Sequence, residues 1–397
     1  MIALAGRMIS TFGDEVALVA LTLRLQADGA RPYEVGVLLA AGIVPLLVLS
    51  RPVGRLADSH DSRHLLVGAG LLEVACTVPL VFVHAVVAVV ALVALLGAGA
   101  AVTGSTWSAL VPRIVGEDHV AEAVSAQQSL NALVLVGAPA LGGLLAGAFG
   151  SGVPLAVDAA TFVVITGASA LVRTRRRPAA LLGSGTETDR PRGGFEILRA
   201  DRVLAPLTVG LGILVLLVGM VDVVLVFLVR ATLHAGGVWY GVAEAAWMAG
   251  IVAGSLGAGR LRTEAQQTWA TIAGAGVACA AIVPFAVVSG VWMLVPLSIV
   301  GGAGNGYAAA CFSTLLVKRT PDAERGRVSA AASAAVGGAQ GISLLLGGVV
   351  AAALSPRAIY ALAGTFGVAV AVALAALQAA RTTAAHQALV VRPDEPC

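Results

Sequence analysis

Apolar stretches of about twenty residues recur twelve times along this 397-residue chain. A helix needs about 20 apolar residues to cross the hydrocarbon of a bilayer. Lipid offers no partner for backbone N–H and C=O groups, so a stretch of this kind must satisfy them internally, as a helix. Reading the apolar runs against the turn signals predicts helices over roughly 3–25, 34–52, 65–83, 86–108, 121–149, 153–172, 203–229, 238–259, 269–288, 291–315, 328–353 and 357–379. The expected fold class is an all-α membrane protein with twelve transmembrane helices. Composition agrees. Charged residues make up 12% of the chain and hydrophobic ones 58%, whereas a soluble domain carries about 25% charge. A large soluble enzyme, a disordered protein and a nucleic-acid binder are excluded on that ground. A net charge of +3 implies no polyanionic partner.

The basic residues set the orientation. They gather at alternate connections, among them Arg51, Arg55, Arg63, Arg113, Arg173, Arg260, Arg262, Lys318, Arg319 and Arg325, and in the tail at Arg381 and Arg392. The opposite connections hold only Arg31, Arg230 and Arg357. Positive-inside bias places both termini in the cytoplasm of a multi-pass cell-membrane protein. An even number of spans requires the same. The first apolar run contains Arg7, Asp14, Glu15 and Arg24 and lacks the uninterrupted core of a cleavable signal. The longest connection opens with the arginine run 173–177 and continues through Gly, Ser, Thr and Asp, the composition of a flexible charged linker. The expected organisation is a six-helix bundle over 1–172, a cytoplasmic linker over 173–202, a second bundle over 203–379 and a tail over 380–397. Membrane lipids are expected partners; the arginine run reads first as a positive-inside anchor, with binding of anionic headgroups as the alternative.

The two halves resemble each other. A step of 205 residues carries Gly36-Val37 onto Gly241-Val242, Gly54-Arg55-Leu56 onto Gly259-Arg260-Leu261, and Gly142-Gly143 onto Gly347-Gly348. Parallel six-helix repeats are a transporter architecture, with the substrate site between them near the bilayer midplane.

The connection after the second span reads Gly54-Arg-Leu-Ala-Asp58-Ser-His-Asp-Ser-Arg63. It resembles the signature loop of the major facilitator superfamily, with Gly54, Leu56, Ala57, Asp58 and Arg63 matching. The resemblance implies a conformational latch built on Gly54, Asp58 and Arg63, in which the glycine lets two helices meet closely. Gly137-Ala-Pro139-Ala-Leu-Gly142-Gly143 is similar to the helix-bending element of antiporters in that superfamily, so Pro139, Gly142 and Gly143 are expected to bend and pack the fifth span. Arg7-x-x-Ser10-x-x-Gly13-Asp14, Asp158-Ala-Ala-Thr-Phe162 and Thr320-Pro-Asp-Ala-Glu-Arg325 resemble the enterobactin-exporter and macrolide-efflux-like branch. That branch implies proton-driven export of a small hydrophobic or amphipathic compound: a drug, macrolide, siderophore or natural product.

Ionisable groups within spans are expensive and are functional candidates by default. They are Asp14, Glu15, Glu73, Asp158, Asp222 and Glu244. Asp14, near the middle of span 1, is expected to take and release the coupling proton. Asp222 of span 7 is expected to face it across the pathway. Span 4 lacks the arginine that many drug–proton antiporters of the superfamily carry, which leaves the coupling to these two acids. Glu244, Trp247, Asn305, Tyr307 and Gln340 are the candidates for a substrate cavity. Arg7 and Arg24 are possible partners of the span-1 acids. Asp158 is read as structural, at the outer start of span 6. The four cysteines show no disulfide or metal spacing, and Lys318 is followed by arginine, so no phosphate-binding loop is present. No cofactor, metal or catalytic residue is expected, and the energy source is the proton gradient. The expected protein is a monomeric secondary transporter with a small-molecule substrate and no nucleic-acid partner. Two alternatives share the fold: a nutrient symporter or uniporter, and a membrane sensor or scaffold that transports nothing.

Overall fold

The computed structural model describes residues 2–115, 120–171 and 193–390. Among them there are only helices, turns and loops. The first half holds α1 (Ile2–Ala27), α2 (Pro32–Val48), α3 (Ser50–Ser59), α4 (Ser62–Leu80), α5 (Val86–Val115), α6 (Val120–Phe149) and α7 (Gly152–Leu171). The second holds α8 (Gly194–Ala200), α9 (Leu204–Phe227), α10 (Gly237–Ala258), α11 (Glu264–Ile282), α12 (Leu294–Arg319), α13 (Asp322–Ala353) and α14 (Pro356–Val390). A π-helical turn, Leu228–Thr232, extends α9. Eight of the described helices are long and apolar enough to cross a membrane, and α2 and the first part of α7 are shorter apolar helices. α1, with its four charged residues, and α12, diluted by glycine and Asn305, complete twelve spans. The protein is an all-α membrane protein of two six-helix bundles.

Three boundaries differ from the sequence expectation. The second span runs past residue 52: after a break at Leu49 it continues as α3 to Ser59, so Gly54 and Asp58 stand on a helix rather than in a loop. The last helix continues through residues 380–390, which were expected to belong to a separate tail. Arg381 helps dock it, donating a hydrogen bond to the Arg202 carbonyl. The end of the expected linker folds as α8. Glu196 returns its carboxylate to the Gly193 N–H at 3.2 Å and Leu198 is buried. Gly194 lets α8 lie on α13, since a Cβ there would stand 2.1 Å from the Arg327 carbonyl oxygen. The arginine run 173–177 lies outside the described residues.

The bundles meet along two seams, α2 on α13 and α6 on α10. Each seam is a glycine contact. A Cβ on Gly36 would stand 2.5 Å from the Leu344 carbonyl oxygen and 3.2 Å from Gly348 Cα. A Cβ on Gly241 would stand 2.3 Å from the Pro139 carbonyl oxygen and 2.9 Å from Gly143 Cα. The 205-residue step relates Gly36 to Gly241 and Gly143 to Gly348, so one seam is the pseudo-symmetric image of the other.

One end of the molecule is closed. A continuous apolar core there takes Leu23, Leu25, Val35 and Leu38 from the first half and Val223, Val226, Tyr240, Phe285 and Tyr360 from the second. Phe285 and Tyr360 stack with centroids 4.9 Å apart. Arg230, in the π turn, donates across the halves to the Gln26 side chain at 3.4 Å. The opposite end carries both chain ends and the basic connections. A salt-bridge network crosses it in the second bundle. The Asp201 carboxylate accepts the N–H groups of Val203 and Leu204 at 2.7 and 2.8 Å and lies 2.9 Å from Arg319 Nε. Arg319 also reaches Glu264 at 2.6 Å. Partial burial alone would raise the Asp201 carboxyl, but the two N–H groups and the guanidinium outweigh it and hold it below the usual carboxylate range.

Candidate functional site

Between the bundles lies a cavity of about 780 Å³. That is within the range of cavities that enclose a drug-sized ligand. Its walls come from α1, α2, α6, α9, α10, α11, α12 and α13. Towards the closed end the lining is buried, with Tyr240 at 4% and Leu344 at 2% exposure. Towards the chain ends Ser313 and Ser333 line it and are exposed. The cavity therefore opens at the end that bears the termini.

Most of the wall is aliphatic or aromatic, including Leu39, Ile43, Leu135, Val215, Trp247 and Phe312. Three carboxyl groups interrupt it: Glu15 of α1, Asp222 of α9 and Glu244 of α10. No lysine, arginine or histidine is among the described lining residues. Gln340 on α13 donates to Asp222 Oδ2 at 3.2 Å, and Asn305 of α12 adds a second amide. Trp247 lies over Gly301: a Cβ there would stand 2.4 Å from its ring. α12 is glycine-rich because α10 packs directly on it. Gly302 and Gly306 meet the carbonyl oxygens of Trp247 and Ile251, where a Cβ would stand 2.0 and 2.1 Å away.

The cavity thus brings together Asp222, Glu244, Trp247, Asn305 and Gln340, all candidates from the sequence. Asp14 is not among the lining residues. Successive helix residues point about 100° apart, and α1 is turned so that Glu15 faces the cavity while Gly13 packs on α7. The expected opposition of Asp14 and Asp222 is replaced by one of Glu15 and Asp222. Tyr307 is also elsewhere. It packs with Ala258, Leu261 and Cys311 beside Gly257, nearer the chain ends. Arg24 pairs with no span-1 acid. Its guanidinium donates to the Leu80 and Val83 carbonyls at 2.7 and 3.1 Å, at the C-terminal end of α4, where a positive charge is favoured.

The helix-packing element matches its expectation in part. Pro139 lines the cavity, Gly142 meets the Val16 carbonyl oxygen of α1, and Gly143 forms the seam with α10. The latch residues stand otherwise. A Cβ on Gly54 would meet nothing within 4 Å, so no helix is held close there with the cavity open at this end. Arg63 opens α4, and Asp61, not Asp58, caps that helix by accepting the Arg63 N–H at 2.8 Å. The Asp58 side chain lies outside the described ones.

A second charged group occupies the interior of the first bundle, away from the cavity. Asp158 of α7 is 1% exposed and Glu73 of α4 is 4% exposed. Both lie within electrostatic reach of Asp14. Thr103 of α5 donates to Glu73 Oε1 at 3.1 Å. Arg7, near the start of α1, lies within reach of Glu73. Among the described residues no group of three acids, histidines or cysteines is arranged to hold a metal ion.

Comparison with known proteins gives these features a family. The sequence model of the transmembrane secretion effector family matches residues 2–394. No curated protein matches the chain significantly. Among solved structures, a bacterial homologue of the iron transporter ferroportin in an inward-facing state is similar with a TM-score of 0.69, at 15% identity, over 94% of this chain and 97% of that one. The nucleoside transporter NupG gives a TM-score of 0.70 at 15% identity, covering 95% and 99% of the two chains. A POT family transporter in complex with 5-aminolevulinic acid gives 0.72 at 10% identity, covering 94% and 95%. At these identities the likeness is one of fold. The family and these neighbours are transporters rather than enzymes. A match over almost the whole length, on twelve helices in two bundles around a central cavity, makes this chain a member of the transmembrane secretion effector family of major facilitator transporters.

Proposed function

We propose that the protein exports a cationic, amphipathic small molecule by alternating access, driven by the proton gradient. The observation that carries the substrate class is the charge of the cavity. Glu15, Asp222 and Glu244 project into an otherwise apolar chamber whose described lining has no basic side chain. A carboxylate in such walls is costly unless a counter-charge meets it, and a lipophilic cation supplies that charge while filling the apolar volume. Trp247 and Phe312 add flat faces against which a cation is favoured by about 0.5–2 kcal/mol. The family description, a secretion effector, supports outward transport.

In this reading the protein sits in the cell membrane with both termini in the cytoplasm, works as a single chain and needs no cofactor. The cavity then opens to the cytoplasm, and substrate enters from there or from the inner leaflet. Closure of that end brings together the segments around Gly54, Asp58 and Arg63, and the two glycine seams part at the other.

The test uses purified protein in proteoliposomes with tetraphenylphosphonium as the probe. Expected are saturable binding and accumulation on the side opposite the chain ends, abolished by an uncoupler. Equal binding of a neutral or anionic probe of the same shape would overturn the substrate class. Uptake unaffected by the uncoupler would overturn the proton drive.

A further inference from the structure

Asp14, Glu73 and Asp158 are not explained by substrate binding, because, unlike Glu15, they do not line the cavity. Their surroundings are built to hold them. Three glycines on three helices make the room. A Cβ on Gly13 of α1 would stand 2.5 Å from Asp158 Oδ1 and 2.7 Å from Thr161 Oγ1. One on Gly99 of α5 would stand 2.9 Å from Glu73 Cγ, and one on Gly70 of α4 would stand 2.2 Å from Thr166 Oγ1. Each polar side chain therefore lies directly against the backbone of a neighbouring helix.

Among the three acids, Asp158 differs in one respect. Its Oδ1 is buried and has no hydrogen-bond partner among the protein's groups. The Thr161 hydroxyl lies beside the carboxylate, but it donates to the Asp158 backbone carbonyl at 2.7 Å. A buried carboxylate oxygen without a donor is costly when ionised, and far less so when it carries a proton. Charged and titratable groups surround it on two neighbouring helices. Asp14 of α1 and Glu73 of α4 act on it directly, with Glu15 on the cavity side of α1, while Arg7 of α1 and Cys76 of α4 lie within reach of Glu73. The hydroxyls of Thr103 on α5 and of Thr161 and Thr166 on α7 do not titrate. Against one guanidinium stand three acids, so the cluster can lose a negative charge to a proton and regain it.

We propose that Asp158, with Asp14 and Glu73 beside it and Arg7 as counter-charge, is the site that carries the coupling proton, and that it is separate from the substrate cavity. A proton from water on one face of the membrane bonds to Asp158 Oδ1. After the bundles rock, it leaves to water on the other face. Coupling then runs through α1, which carries Gly13 and Asp14 towards the proton site and Glu15 towards the substrate. This inference rests on the proton-driven reading above, and it moves the proton from a direct exchange in the cavity to a linked site.

Two measurements on the full-length protein test it. In the first, infrared spectra of the protein without substrate are recorded across pH. A neutral carboxylic-acid band that titrates is expected in the wild type and in Asp222→Asn, and its loss is expected in Asp158→Asn. Asp158→Glu should keep the band and shift its midpoint, which guards against a variant that fails to fold. An unchanged spectrum in Asp158→Asn, or an unchanged midpoint in Asp158→Glu, overturns the assignment. In the second, Asp158→Asn in proteoliposomes should lose accumulation driven by a pH gradient while tetraphenylphosphonium binding persists. Asp158→Glu should recover part of the accumulation. Loss of binding together with accumulation would mark a structural or substrate role and overturn the proposal, as would wild-type accumulation driven by sodium alone. If the wild type ignores tetraphenylphosphonium, the substrate class fails while the infrared result still decides the proton site.

Discussion

The two bundles share a repeat yet place their charges in opposite ways. Apart from Glu15, which lines the cavity, the first keeps its span acids among its own helices: Asp14 half-buried, Glu73 and Asp158 buried. The 205-residue step carries these three to Gly219, Ala278 and Ala363 in the second, where no charge remains. The second bundle presents Asp222 and Glu244 to the cavity, and the reverse step carries those to Ala17 and Leu39. The seam glycines, by contrast, recur in both. The difference separates what rocking requires from what transport requires. Two matched glycine seams give both halves the same close approach. The charges are free to specialise, the proton held within one half and two of the three cavity acids supplied by the other, because each site needs its own surroundings.

The comparison breaks most visibly at the seams. Gly241→Val and Gly36→Val each force a side chain into a space where even a Cβ would stand 2.3 or 2.5 Å from a carbonyl oxygen. Overpacking of this kind costs about 1–3 kcal/mol, enough to move the balance between closed and open seam states by roughly fivefold to 150-fold. Both variants should lose transport and admit thiol reagents from the far side to a cysteine placed on α10. Loss in only one would mean that the seams are not equivalent.

The next largest effect concerns the cavity. Asp222→Asn and Glu244→Gln should each weaken tetraphenylphosphonium binding by about tenfold, the loss of roughly 1.4 kcal/mol of charge-assisted interaction. Calorimetry on the detergent-solubilised protein measures this directly, and unaltered affinity in both variants would remove the acids from the substrate site.

Smaller still is the effect of Asp201→Asn at the end bearing the termini. It removes a carboxylate that accepts two backbone N–H groups and meets Arg319, with an expected loss of about 1–2 kcal/mol. The folded-state pKa of Asp201 is depressed. The stability it contributes is therefore present above the ordinary carboxylate range, near 3.9, and is lost as pH falls through the lower folded value. Thermal unfolding should show the wild-type advantage at neutral pH, and that advantage should vanish on acidification. The smallest effect expected is that of Gly54→Ala, within about 0.5 kcal/mol in thermal stability, since a Cβ there meets nothing.

Much of the fold is legible in the sequence because hydropathy alone marks a lipid-exposed helix. The repeat was legible too. The pairs Gly36/Gly241 and Gly143/Gly348, matched along the chain, turn out to touch crosswise, Gly36 on Gly348 and Gly241 on Gly143. The rotation of α1 was not legible. A helix surrounded by others and by lipid has no polar stripe to fix its face, so the pattern favours Asp14 for its mid-span position although Glu15 is the acid that lines the cavity. Gly13 is the residue that could have decided it, because a glycine beside an acid marks the side where another helix comes close. α8 escaped because seven residues are too few for a periodic signal. Its Gly193-to-Glu196 cap was the available clue. Tyr307 was misplaced because its glycine-rich neighbourhood serves the α10–α12 contact rather than the cavity.

The division of labour between the bundles is tested most directly by one set of affinities. Binding of tetraphenylphosphonium is measured by calorimetry for the wild type, for the double variant Asp222→Asn/Glu244→Gln, and for Asp14→Asn. The cavity variant should lose binding, and Asp14→Asn should bind within about twofold of the wild type. Equal loss in both, or loss in Asp14→Asn alone, would contradict the separation of the substrate site from the Asp14–Glu73–Asp158 cluster of the first bundle.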